Sequence, residues 1–141
     1  MKILFLCTGN SCRSQMAEGW ARQLKGSELE AYSAGVKPQG LHPLAVRVMA
    51  EAGVDISGQS SKHVQDLKDI PFDYVVTVCD SARESCPLFP GKTQVVHRSF
   101  ADPAAAKGSE AEVLAVFRRV RDQIRDFVKS LPGNLTEGDR R

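Results

Sequence analysis

The run Cys7-Thr8-Gly9-Asn10-Ser11-Cys12-Arg13-Ser14 constrains this chain more than any other stretch. It follows an apolar β-type segment, Lys2 to Cys7, and leads into a segment where Met16, Trp20 and Leu24 recur at helical spacing beside Ala17 and Ala21. A chain that leaves a strand, turns at a glycine and enters a helix brings successive backbone N–H groups to one point. The helix dipole then favours an anion there. Gly9 permits the close turn, and the planar fork of Arg13 suits two oxygens of a tetrahedral oxyanion. Thr8, Gly9, Asn10, Ser11, Cys12, Arg13 and Ser14 are therefore the expected oxyanion-binding residues. Cys7 ends the strand at the floor of the loop. The same field predicts a thiol pKa below the ordinary value of about 8.5, with Ser14 placed to donate to its sulfur. A buried cysteine near a surface arginine would explain an isolated C-x5-R; the strand–glycine–helix setting favours an anion site. Neither the full Gly-x-x-x-x-Gly-Lys-Ser/Thr phosphate loop nor Gly-x-Gly-x-x-Gly is present.

Strand-like and helix-like segments alternate along the rest of the chain. Glu30 to Ala34 reads as a strand, Leu41 to Ala52 as a helix and Ser60 to Leu67 as a short helix. Phe72 to Cys79 reads as a strand whose centre, Tyr74 to Val78, is β-branched and apolar throughout, as a strand covered on both faces should be, and Thr93 to His97 is a further strand. A long apolar stripe from Val113 to Leu131 places the last helix over Glu110 to Leu131. This order predicts an α/β fold, a parallel sheet with helices on both faces. At 141 residues one domain is expected, over 1–133, with 134–141 a polar, flexible tail. Apolar runs are strand-sized, too short for a membrane span of about 20 residues. A net charge of +2 gives no reason to expect nucleic acid or a membrane surface. Lys2 to Cys7 is too short for the core of an export signal, so a cytoplasmic protein with reduced thiols is expected.

Three further features carry chemistry. Asp102-Pro103 lies in a small-residue loop before the last helix; the residues alone favour a turn or cap aspartate, with a proton donor at the anion site as the alternative. Cys79 and Cys86 flank a segment in which Ser81-x-x-Glu84 has a capping-box pattern. Two buried small residues would explain the pair. If the segment is helical, its ends lie roughly 10 Å apart. A disulfide needs about 4.4–6.8 Å, so a Cys79–Cys86 bond requires the segment to unwind. His42, His63 and His97 show no ligand spacing and no C-x2-C is present, so no metal is expected.

Cys7 to Gly19, together with Tyr32-Ser33-Ala34-Gly35, Val76-Thr77-Val78-Cys79-Asp80, Cys86-Pro87 and Asp102-Pro103, resembles the thioredoxin-coupled arsenate reductases of the low-molecular-weight protein tyrosine phosphatase fold. The likeness runs to the final helix. It implies a four-stranded parallel sheet, Cys7 as nucleophile, Arg13 on the oxyanion, Asp102 as general acid, Cys79 as resolving and Cys86 as final cysteine. No bound cofactor is implied; reduced thioredoxin is the electron donor, itself recycled by thioredoxin reductase and NADPH, and the working unit is a monomer. Cys12 has no required step. Some members bind potassium beside the loop through Asn, Glu, Ser and Asp. Asn10, Glu18 and Ser33 match three of these, and Lys62 falls at the fourth, where its ammonium could replace the ion. Two other readings stay open: a low-molecular-weight tyrosine phosphatase that leaves Cys79 and Cys86 idle, against which Ala104 counts because phosphatases of this fold often carry an aromatic there, and a non-catalytic redox switch.

Overall fold

The computed structural model describes residues 1–84, 86–87, 89, 91–133 and 135. Strands β1 (Lys2–Cys7), β2 (Glu30–Gly35), β3 (Tyr74–Thr77) and β4 (Gln94–His97) form one parallel sheet in the order β2-β1-β3-β4. Side chains of successive residues in β1 point to opposite faces, yet Ile3 to Leu6 are fully buried and Cys7 nearly so. Both faces of the sheet are covered, which is why β1 reads as an unbroken apolar run rather than an alternating one.

Helices α1 (Arg13–Lys25), α2 (Pro43–Glu51), α3 (Asp80–Glu84) and α4 (Glu110–Lys129) complete the α/β architecture, with α1 packed on α4. The inner face of α1 is Met16, Ala17, Trp20 and Ala21; Leu24, expected in the same stripe, is 38% exposed. Trp20 Nε1 donates to Arg121 O at 3.2 Å and joins the two helices. In α4, Phe117, Val120 and Ile124 are fully buried, each contributing about 1.5–3 kcal/mol. A reciprocal Ser109–Glu112 capping box starts this helix.

Several boundaries differ from expectation for local reasons. β3 spans only Tyr74–Thr77, paired residue for residue with β4, which ends at His97. Cys79 therefore lies past the strand, and Val78 N–H, donating to Leu6 O at 2.9 Å, keeps that exit against β1. The expected helix at 60–67 is a 3-10 turn over Val64–Leu67, capped by the His63 ring. The His42 ring accepts from Leu44 N and starts α2 at Pro43. α3 begins at Asp80, so Ser81 lies within the helix rather than capping it. α4 ends at Lys129, short of Leu131. Of the expected tail, only Leu135 is among the described residues, and it is buried.

The strand order determines where a ligand can sit. The chain passes from β1 to β2 on one side, then returns to place β3 and β4 on the other. In an open α/β sheet the crevice beyond the strand ends at such a reversal is the binding position. Here it lies between β1 and β3, with Cys7 at the end of one and Cys79 just past the end of the other.

Gly35 closes the β2 side of that crevice, in register with Cys7. A Cβ at this position would lie 2.6 Å from Thr8 O and 2.9 Å from Asn10 N. Both are backbone atoms, so the loop would have to move. Gly35→Ala is expected to destabilise the fold by about 1–3 kcal/mol, read as a lower urea midpoint, and to weaken phosphate binding measured by calorimetry. Unchanged values for both would show that the loop does not depend on this contact.

Candidate active site

Every backbone carbonyl of the loop between β1 and α1, from Cys7 to Cys12, is tied down. Those of Cys7, Thr8, Gly9 and Ser11 accept from the backbone amides of Val36 (3.2 Å), Lys37 (2.8 Å), Gln39 (2.9 Å) and His42 (3.0 Å). Asn10 O accepts from Gln15 Nε2 at 3.0 Å, and Cys12 O from Met16 N at 2.9 Å. In a trans peptide the N–H points away from the C=O. Carbonyls drawn outward therefore turn the amides of the loop inward, toward a cavity of about 290 Å³ bounded by Cys7, Arg13, Gln39, Asp102 and Ala104. Asn10 makes this possible with φ +48°, a left-handed conformation that asparagine tolerates better than most residues.

Arg13 lies along the cavity wall with only 12% of its side chain exposed. Its Nη1 donates to Phe100 O at 3.1 Å, and Nη2 is 3.7 Å from Asp102 Oδ2. Its Nε is buried without a hydrogen-bond partner among the described residues. A buried donor facing no acceptor is costly, and an oxyanion in the cavity would satisfy it. Asp102 is the turn-capping residue of the first sequence reading, and it also lies at the cavity wall. Its Oδ1 caps the 3-10 turn Pro103–Ala105 by accepting from Ala104 N at 3.0 Å, and its other oxygen faces Arg13.

The thiols differ from expectation in where the charge sits. Cys7 and Cys79 are hydrogen-bonded to one another. That bond, followed by burial, raises the Cys7 pKa instead of lowering it, against the pull of Arg13. Cys79 is drawn down to about 5, first by the hydrogen bond from Cys7, then by the Thr8 hydroxyl at 3.2 Å and the Ala82 amide. The two thiols in contact do not ionise independently, and the first proton lost belongs to the pair. Ser14 is placed against the loop itself, its hydroxyl accepting from Asn10 Nδ2 at 2.8 Å. Burial raises Cys12 to about 11, with the Ser11 hydroxyl opposing. Cys86 is half-buried beyond α3, its thiol directed to Pro87 O at 3.5 Å.

A second layer supports the loop. Buried Glu18 accepts from Ser33 Oγ at 2.6 Å, pairs with Arg22 at 2.6 Å and faces Lys62 Nζ at 3.9 Å. Lys62 reaches Asn10 Oδ1 through its backbone amide (2.9 Å) and spends its ammonium on Ser60 O (2.7 Å). Burial lowers its pKa, with Glu18 opposing. Sequence reading missed Gln15, which is fully buried, bonds Asn10 twice, and is itself held by Gln59 Nε2 at 2.8 Å. A glutamine among the apolar positions at the start of α1 was the available signal. It also missed Ser61, whose hydroxyl donates to Gly9 O at 3.2 Å. A larger hollow, about 470 Å³ around Met1, Arg22 and Tyr32, holds none of the candidate residues.

Residues 2–140 match the low molecular weight phosphotyrosine protein phosphatase family. The chain belongs to that family. Within it, the arsenate reductase of Bacillus subtilis (strain 168) is 50% identical over 127 residues, covering 90% of this chain and 91% of the relative. A solved arsenate reductase in its oxidized state superposes with a TM-score of 0.78 at 31% identity, covering 96% of this chain and 98% of that one. The low molecular weight protein tyrosine phosphatase of T. tengcongensis superposes at 0.74 with 29% identity, covering 96% and 99%. The family thus contains both chemistries between which the sequence leaves a choice.

The shared charge yields a titration. A thiolate drawn down to about 5 by hydrogen bonds exists in the folded protein above that pH, and is protonated as pH falls through it. Thiolate ultraviolet absorbance should therefore persist at neutral pH and fade near pH 5. Cys79→Ser should abolish that transition. Cys7→Ala should move it upward, because the largest cause of the lowering is removed. A transition that survives Cys79→Ser but vanishes with Cys7→Ala would place the charge on Cys7.

Proposed function

We propose that this chain reduces arsenate to arsenite, using Cys7, Cys79 and Cys86 in turn and recovering its thiols from reduced thioredoxin. The observation that carries this reading is the hydrogen-bonded Cys7–Cys79 pair at the floor of the oxyanion loop, with a third thiol just beyond α3. A phosphatase needs Cys7, Arg13 and Asp102 and has no use for the other two. Ala104 at the cavity wall likewise leaves no aromatic surface for a phosphotyrosine ring.

Arsenate, as the dianion with one hydroxyl, is bound by the loop amides of Thr8 to Ser14 and by the Arg13 guanidinium, whose Nε has no other partner among the described residues. Cys7 passes its proton to Cys79 and attacks arsenic. Asp102 protonates the departing oxygen, which leaves as water. Cys79 then attacks the Cys7 sulfur. The sulfur–arsenic bond breaks with its electron pair on arsenic, reducing As(V) to As(III), and the Cys79 proton goes to an arsenite oxygen. Cys86 attacks Cys79, which frees Cys7 and leaves a Cys79–Cys86 disulfide for thioredoxin. The thiols supply both electrons, so the scheme balances without a bound redox cofactor. Asn10, Glu18, Ser33 and Lys62 keep the loop in shape, the Lys62 ammonium standing where relatives would hold a cation. The cycle needs a reducing cytoplasm and one copy of the chain, with residues 1–133 as its working domain.

Arsenite production in the presence of thioredoxin, thioredoxin reductase and NADPH, measured beside aryl phosphate hydrolysis, tests the reading. Continuous thioredoxin-dependent turnover with only slow hydrolysis is expected. Hydrolysis alone would make the chain a phosphatase. Cys86→Ser should release about one arsenite per protein and stall with a Cys7–Cys79 disulfide, seen by peptide mapping after thiol blocking. Cys79→Ser should release none; full turnover by that variant would overturn the order. Replacing sodium by potassium at constant ionic strength should leave kcat/KM unchanged, whereas strong activation would contradict the role given to Lys62.

A further inference from the structure

Thr77, His97 and Asp80 form a hydrogen-bonded chain outside the oxyanion site. Thr77 and His97 are register partners at the ends of β3 and β4. Thr77 Oγ1 lies 2.7 Å from His97 Nδ1, and His97 Nε2 lies 3.0 Å from Asp80 Oδ1. A carboxylate can only accept, so Nε2 carries a proton; in the neutral ring Nδ1 then accepts from the Thr77 hydroxyl. The alternative acceptor for that hydroxyl, Val96 O, is at 3.5 Å. The ring is 14% exposed and fixed by the sheet, whereas the Asp80 side chain is 80% exposed.

Asp80 follows Cys79 and is the first residue of α3. At the far end of the same segment, Phe89 stacks edge-on against core Phe72, with ring centroids 6.3 Å apart at 80°. The stretch from Asp80 to Phe89, which contains Cys86, is thus held by an exposed polar tie at one end and an apolar anchor at the other. Five helical residues do not hold a helix by themselves. Cys79 and Cys86 flank α3, whose five residues span about 7.5 Å while it stays wound, longer than the roughly 4.4–6.8 Å a disulfide bridges between Cα atoms. Ala82 between them is fully buried in the core; among these attachments the polar one is the exposed one, and it sits beside the thiol that must change partners.

We propose that His97 is a positioning residue for the thiol relay: through Asp80 it holds the first turn of α3 closed, keeps Cys79 toward Cys7, and opposes the Cys79–Cys86 disulfide until the contact opens. The relay itself is the reading given under Proposed function. The hold on α3 makes a prediction that needs no arsenate. With glutathione disulfide as oxidant, two thiols and one glutathione disulfide give the Cys79–Cys86 disulfide and two glutathiones. If the Asp80–His97 contact exists only in the dithiol form, removing it shifts this equilibrium toward the disulfide.

The test uses the full chain carrying Cys7→Ser and Cys12→Ser, so that only Cys79 and Cys86 remain, equilibrated in glutathione buffers of varied ratio. The oxidised fraction is read by alkylation and mass spectrometry. Asp80→Ala, at a well-exposed side chain, should raise the equilibrium constant about 2- to 5-fold, the size expected of an exposed polar pair. His97→Ala should do the same, and the double variant should shift no further than either single one. An unchanged constant in Asp80→Ala would overturn the proposal. So would additive effects, because Asp80 would then act through the charge it places in the first turn of α3 rather than through His97. Thioredoxin-dependent arsenite production by the unaltered chain is scored separately. Turnover without coupling between the two positions rejects the hold alone; coupling without turnover supports the hold and rejects the relay.

Discussion

Turning a backbone loop so that its amides face a ligand leaves every carbonyl in need of a donor elsewhere. In this protein each carbonyl from Cys7 to Cys12 finds one: four from the segment following β2, one from α1 and one from the Gln15 side chain. The rest of the site depends on that arrangement. It fixes the cavity floor before any anion arrives, so binding does not have to order the loop. It also explains why residues with no chemistry of their own matter. Gly35 allows β2 to approach within contact of the loop, and Asn10 supplies the one left-handed turn by which the chain enters α1. Gln15 and Gln59 hold that turn from the side.

The sheet supplies the second requirement. Because the strand order reverses between β1 and β3, the loops that leave these strands diverge and their first residues stand beside a common crevice. That places Cys79 against Cys7, although the two lie far apart in the sequence, through the pairing of β1 with β3. Two buried thiols in contact cannot both ionise at low cost. The Thr8 hydroxyl and the Ala82 amide favour a negative charge at Cys79, while burial opposes one at Cys7 and Arg13 favours it. A site arranged this way gives up its two thiol protons in separate steps.

What could be read from the sequence follows how local each cause is. The strand–loop–helix anion site, the parallel α/β fold and the short helix between Cys79 and Cys86 rest on neighbours in the chain, and the structure has them. The length of β3 depends on where its partner β4 ends, so Cys79 proved to lie beyond the strand. The sequence does not show that Ser14 Oγ also accepts from Asn10 Nδ2, a contact that leaves its own proton free to donate. The sequence shows the loop field at Cys7 but not the second thiol, distant in sequence, with which its titration is shared. Asp102 was legible as a cap and, through the family resemblance, as an acid; the structure lets one carboxylate face both ways.

The central claim is that the thiols act in the order in which the fold presents them. Unaltered protein, fully reduced and mixed with excess arsenate without thioredoxin, should make one arsenite and stop. Samples quenched in acid at successive times and mapped for disulfides report the order directly. A Cys7–Cys79 disulfide that rises first and decays into Cys79–Cys86, in step with a single release of arsenite, is the predicted result. A Cys79–Cys86 disulfide that forms without the earlier species, or a Cys7–Cys12 disulfide as the final product, would contradict it.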